Sequence, residues 1–182
     1  MAAVAERPNL HIALGAAAGA FAWTAAEYAS HRWVLHGPFG KGRLEHLPLG
    51  GLHRAHHRAP EAASLMARTA GHLAAAATAA LASVGLSLIA STAVARSATA
   101  AFSAGYSTYE ISHWNMHHRP ARTLMGEQLR VRHNHHHFGD PGSNLGVTTD
   151  FWDRVFDTEA PNKEPAMISA KVSPATSPRV AV

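Results

Sequence analysis

Three long stretches of the chain read as apolar helix. Pro8 to Ala26 holds no Lys, Arg, Asp or Glu, and helix-forming sequence continues to about Ser30. Thr69 to Ala95 is a second uncharged run, dominated by Ala and Leu. Arg96 interrupts it, and Ser97 to Tyr109 is uncharged again. A hydrocarbon core of ~30 Å takes about 20 apolar residues as helix. The pattern therefore predicts about three spanning helices, near 9–30, 66–92 and 97–118, the last two forming a hairpin with its tip near Arg96. Ala, Gly, Ser and Thr make each run only weakly apolar, and the mean hydropathy of the chain is −0.09. A soluble all-helical bundle with Ala-rich core helices is the competing reading. The first run lacks a cleavage region and leads straight into a histidine-bearing segment. It is read as a span rather than a signal peptide.

Composition sharpens this picture. The chain has 182 residues, enough for one domain, and only 15 % are charged, against roughly 25 % in an average soluble domain. It contains no cysteine. That excludes disulfide scaffolds, thiolate zinc sites, iron–sulfur clusters and a cysteine nucleophile. Net charge is +4, from 16 basic against 12 acidic residues. Under the three-span topology Arg7 and Arg96 lie on one side, and the rest fall in 32–68 and 119–179 on the other. That asymmetry marks the second side as cytoplasmic and accounts for the basic charge without nucleic acid. After Thr158 the chain turns to Pro, Ser, Thr, Lys and Val, so 159–182 reads as a disordered tail following a domain over 1–158.

The unusual figure is 15 histidines, more than the 12 Asp and Glu together. Ten fall into four groups: His31 and His36 in HRWVLH; His53, His56 and His57 in HRAHH; His113 and His117 in HWNMH; His133, His136 and His137 in HNHHH. Spacings of three and four share one helix face, so the last three groups each aim at one point. The five-residue step of HRWVLH does not. It requires the helix to end or distort between His31 and His36, with Gly37-Pro38 immediately afterwards as a breaker. All four groups fall on the cytoplasmic side. Ten imidazoles gathered there are costly to bury unpaired and costlier to charge together. As ligands they fit Fe, Zn, Cu or Ni rather than Mg or Ca, and two ions is the economical count. His11 and His72 lie near the expected membrane boundaries and read as facing headgroups; His46, His118 and His135 sit beside the groups and read as non-ligands, since helical facing or order excludes them. Glu27 and Glu110 stand one turn before His31 and His113, late in the spans, where a charge is usually functional. Both are expected to accept a ring N–H and orient an imidazole. Asp153 is expected to do the same for the last group.

The order of these four groups resembles the fatty acid hydroxylase / sterol desaturase superfamily of membrane histidine-box enzymes. The stretch from His135 to Thr158, HHHFGDPGSNLGVTTDFWDRVFDT, is similar to that family's closing segment. Asp157 departs from it, standing where the family usually has Gly. The resemblance implies an all-α integral-membrane protein, with a cytoplasmic histidine-rich helical cap holding a di-metal site, in a bacterial inner membrane. It carries over the ten box histidines as ligands of two iron ions, with zinc possible as purified. It implies a non-haem di-iron oxidoreductase that hydroxylates a lipid C–H bond using O2, a fatty acyl chain being preferred. No cytochrome b5-like domain is recognisable in the chain. Electrons are therefore expected from a separate donor, a reductase with ferredoxin or a cytochrome b5-like protein. EYASHRWVLHG also resembles the first box of carotenoid ring hydroxylases, which is the runner-up. A membrane metal-binding or transport protein is the non-enzyme alternative; transport would place polar ligands near mid-bilayer, where these runs are nearly bare.

Overall fold

A computed structural model describes residues 8–37, 48–62 and 65–161. Among them every regular element is helical: α1 (Pro8–Ala29), a π-helical turn (Ser30–Leu35), α2 (Pro48–Arg58), α3 (Leu65–Ile89), α4 (Thr92–His118), α5 (Leu124–Phe138) and the short α6 (Phe151–Val155). His46 lies outside the described residues, as does the expected tail beyond residue 161. The first residues of that tail are docked. Glu159 pairs with Arg132, and the Ala160 N–H donates to Asn144 Oδ1.

The tip of the hairpin sits earlier than the charge pattern predicts. The break falls between Ile89 and Thr92, and Arg96 lies one turn inside α4. Ser91 takes an extended conformation and its side chain accepts the Val94 N–H, so a helix cap decides the turn rather than the charge.

α1 packs along α4 through small residues. A Cβ at Gly15 would collide with Ser97 and Val94, one at Gly19 with the Ala98 carbonyl, and one at Gly105 with the Trp23 indole. Gly15, Gly19 and Trp23 follow at intervals of four, one face of α1, and meet the buried Ala95 and Ala98. Such small-residue seams let helix backbones approach closely where lipid supplies no hydrophobic drive. Gly19→Val forces the two backbones apart. We expect it to cost about 2 kcal/mol or more, read as a lower thermal midpoint of the detergent-solubilised protein.

The outward faces are apolar. Leu81, Leu88 and Ile89 of α3 are each more than 70 % exposed, and Leu10, Leu14 and Phe21 project from α1. By length and composition one helix among the described residues, Gly71–Ile89, is apolar enough to cross a membrane, and none of it is buried within the protein. The largest fully buried side chains, Tyr28, His136, Val147 and Asp153, gather near the C-terminal ends of α1 and α5, beside α6.

Candidate metal centre

The first box is shaped by the π-helical turn. The His36 N–H donates to the His31 carbonyl five residues back, at 3.0 Å. This wider turn brings a five-residue step onto nearly one face. The distortion demanded by HRWVLH is therefore present, between the two histidines as the spacing requires.

The ten box histidines come together as two cages of five. His31, His36, His53, His57 and His136 form one; His56, His113, His117, His133 and His137 form the other. HRAHH and HNHHH do not aim at single points. Neighbouring residues on a helix differ by about 100°. His53 and His57, an i,i+4 pair, face the first cage while His56 faces the second. His133 and His137 face the second cage while His136 turns back to the first. The His57 and His137 rings, one from each cage, stack at 4.1 Å between centroids.

The donor set fits a metal ion. In the first cage successive Nε2 atoms lie 2.8–3.1 Å apart. In the second, three such separations are 3.0–3.3 Å. Two nitrogens bound at right angles to an ion at ~2.05 Å would be about 2.9 Å apart. Hydrogen bonds cannot account for all these contacts. His31 and His136 each donate Nδ1–H to a backbone carbonyl, so their neutral rings present bare lone pairs at Nε2. The His53 Nε2 atom touches those of His31, His36 and His57, and can carry one proton at most. Both ring nitrogens of His137 are buried with no hydrogen-bond partner. A cation shared among the lone pairs satisfies the bare nitrogen of each ring, while the second nitrogen of His137 keeps its proton without a partner.

The cages also hold the rings neutral. Burial, reinforced by neighbouring imidazoles, pushes His31, His53, His133 and His137 well below the ordinary histidine range. The same causes bring His56 to about 4 and His57 to about 3. Protons therefore do not compete for these lone pairs at neutral pH.

A short strap after α5 orients two of the imidazoles. The Ser143 carbonyl accepts from His136 Nδ1 at 2.9 Å, and the Leu145 carbonyl accepts from His31 Nδ1. These carbonyls, rather than carboxylates, set the tautomer that turns Nε2 inward. The carboxylates grip the strap instead. Asp153, fully buried, accepts the Leu145 N–H at 2.7 Å and the Gly146 N–H at 2.9 Å. Glu27 accepts those of Val147 at 2.7 Å and Thr148 at 2.9 Å, together with the Thr148 hydroxyl. Four consecutive backbone donors are thus held by two acids. Arg132 bonds Asp153 from the other side at 3.0 Å, and a Cβ at Gly146 would collide with Thr149 and Asp153. The expectation that Glu27 and Asp153 accept directly from imidazoles is corrected: a peptide strap is interposed. Glu110 makes no hydrogen bond to an imidazole among the described residues and lines a cavity instead.

That cavity, of about 580 Å³, lies between α1, α2, α3 and α4. His31, His53, His56, His113 and His117 border one end; Trp23, Thr78 and Phe102 border the other. From His113 back to Phe102, α4 descends about 16 Å at ~1.5 Å per residue. Ala74, Ala75 and Gly71 keep the α3 wall thin, and the lining is mostly apolar.

Residues 16–158 match the fatty acid hydroxylase family. The chain belongs to that family. A dihydroceramide fatty acyl 2-hydroxylase of Arabidopsis thaliana is 29 % identical over 81 % of this chain and 61 % of its own length. A fatty acid 2-hydroxylase of Macaca fascicularis is 30 % identical over 80 % of this chain and 39 % of its own. The solved structure of full-length scs7p, with only its hydroxylase domain visible, superposes with a TM-score of 0.65 at 25 % identity. It covers 86 % of this chain and 59 % of that one. This fatty acid hydroxylase family member therefore spans about three fifths or less of these relatives.

The family position that usually holds Gly explains itself here. Asp157 sits at φ 54°, the left-handed region that Gly enters freely and Asp tolerates. It closes α6, where the Thr158 N–H reaches the Asp153 carbonyl at 2.8 Å. Thr158 then donates its hydroxyl to Asp153, and Tyr28 bonds Thr158 at 2.8 Å. Ser143, Leu145, Tyr28 and Arg132 were not singled out in the sequence as parts of the site. The signal for the first two was a polar, glycine-bearing run directly after the last box. Of the spare histidines, His135 braces Ser143, His118 bonds the Trp114 and Glu61 carbonyls, and His72 meets the Tyr106 hydroxyl. His11 is exposed.

Proposed function

We propose that this chain is a membrane-bound, O2-dependent hydroxylase of fatty acyl chains. The observation that carries the reading is the placement of two five-histidine cages at one end of an elongated apolar cavity. In this reading α1, α3 and α4 are three membrane spans, the cages lie at their cytoplasmic ends, and the membrane is a bacterial inner membrane. The first cage holds one iron and the second cage another; zinc is a plausible occupant after purification because its affinity for nitrogen sites exceeds that of Fe(II). When bound, the two irons supply the redox chemistry that puts one oxygen atom of O2 into a C–H bond and releases the other as water. Two electrons and two protons come by way of a separate donor, a reductase with ferredoxin or a cytochrome b5-like protein.

The chain's own residues position the substrate. Trp23, Thr78 and Phe102 receive the apolar tail, and the mostly apolar walls exclude water around it. The polar end of a membrane lipid stays near the interface, which is where the cages stand. Carbons close to the acyl carbonyl therefore reach the histidines before mid-chain carbons do. This agrees with the 2-hydroxylase names of the Arabidopsis and macaque relatives, and those names favour an acyl chain over a carotenoid ring. The transport alternative fits less well, since the ligands cluster at one end rather than along the spans.

Two experiments test this. Expression in a host that makes fatty acids and β-carotene, with a compatible reductase, should yield an acyl lipid one oxygen heavier. An oxygenated carotenoid instead would move the chain to the runner-up, and stable metal binding with no oxygenated lipid would support the non-enzyme reading. Ala75→Trp, which fills the middle of the cavity, should shift product toward shorter acyl chains. An unchanged chain-length profile by mass spectrometry would remove the cavity from the account.

A further inference from the structure

We propose that a second, smaller cavity binds the phosphate of an anionic membrane lipid. It measures about 260 Å³ and lies where α4 hands over to α5. Arg119, Arg122 and Arg130 border it, with Asn115 and the Gly126 backbone. Among the described residues these three guanidinium groups have no carboxylate within ion-pair reach. Three like charges around one hollow repel each other, and among the described residues no carboxylate pairs with them. An anion with several acceptor oxygens does so, and guanidinium forks suit phosphate best.

The surroundings select a lipid. Leu124 and Met125, beside the arginines, are 86 % and 67 % exposed, and Ile111 on the last turns of α4 is exposed too. Arg119 lies over the Trp114 ring at 4.8 Å. Tryptophan, arginine and bare apolar side chains in one patch are what a helix end presents at headgroup level. A soluble acidic partner would leave Leu124 and Met125 without a role. The inference uses the membrane placement of α4 and is independent of the chemistry at the histidine cages.

The test uses the full chain, purified in neutral detergent and titrated with phosphatidylglycerol or phosphatidylcholine, with retained lipid counted by native mass spectrometry. One cation near an anionic surface contributes about fivefold in affinity. The triple variant R119Q/R122Q/R130Q should then retain phosphatidylglycerol roughly 100-fold more weakly, while Arg96→Gln, at the opposite end of α4, retains it as wild type does. Should the triple variant not fold, Arg122→Gln alone, on an exposed residue, should weaken retention about fivefold. Equal retention by wild type and the arginine variants, or equal retention of both lipids, overturns the proposal. Competition by inorganic phosphate alone at equal strength would make it a soluble-anion site and overturn the lipid assignment. Metal content of the folded variants should be unchanged, which separates this outcome from any failure of the hydroxylase reading.

Discussion

His136→Ala is expected to leave one metal ion per chain instead of two and to abolish hydroxylation. His136 is wholly buried, and its Nε2 atom lies 3.0 Å from that of His36 and 3.1 Å from that of His57. Among the described residues the first cage holds only four other rings, those of His31, His36, His53 and His57. Losing an orienting partner of a ligand typically costs 10–100-fold in metal affinity, so losing the ligand itself should cost at least about 100-fold. Stability should respond differently with and without metal. The apo cage presses bare lone pairs together, so removing one ring is nearly neutral in chelator-treated protein. In metal-loaded protein the variant should melt earlier, because a bound ion stabilises only the folded state. Elemental analysis and melting curves with and without chelator check both parts. His11→Ala, at an exposed position outside the cages, should behave as wild type in each.

The second large effect belongs to the acids that grip the strap. Asp153→Asn replaces an acceptor of four hydrogen bonds with a group that must point an NH2 at some of the same donors. It also takes the buried countercharge from Arg132. Breaking a buried pair this way costs about 3–5 kcal/mol. Glu27→Gln loses charge-assisted bonds from Val147 and Thr148 and should cost about 2 kcal/mol. Both variants loosen the Leu145 carbonyl that orients His31, so both should lower metal retention 10–100-fold on dialysis. Their combination should fall short of the sum, because the two acids hold one strap. Glu110→Gln should retain metal as wild type does. Equal metal loss in all three would restore the simpler idea that each acid touches an imidazole; no loss in Glu27→Gln or Asp153→Asn would remove the strap from the account.

The contrast between Glu27 and Glu110 shows how far the sequence could be read. Their spacing to His31 and His113 is similar, and each looks like a ligand-orienting acid. What separates them is the strap, 120 residues along the chain from Glu27, which docks on Glu27 and not on Glu110. No local periodicity carries that information. The box histidines were legible because three- and four-residue steps fix helical facing within a few residues. The same rule, applied to neighbours His56–His57 and His136–His137, already implies two directions and hence two cages. The irregular step from His31 to His36 signalled a distortion without saying that it is a π turn. The hairpin tip was misplaced at Arg96 because a charge in an Ala-rich run outweighs a serine cap to the eye, while the backbone follows Ser91. Asp157 could not be judged from sequence, since its acceptability depends on a φ angle that Asp tolerates.

If the two cages and the cavity together hydroxylate an acyl chain, the inserted oxygen comes from O2. The most direct measurement incubates iron-loaded protein with a reducing donor, an acyl lipid and isotopically labelled dioxygen, and reads the label in the product by mass spectrometry. One labelled oxygen is expected on the acyl chain, close to its carbonyl end, in wild type and none in His136→Ala. Unlabelled lipid from a chain that holds two irons and accepts electrons would contradict it.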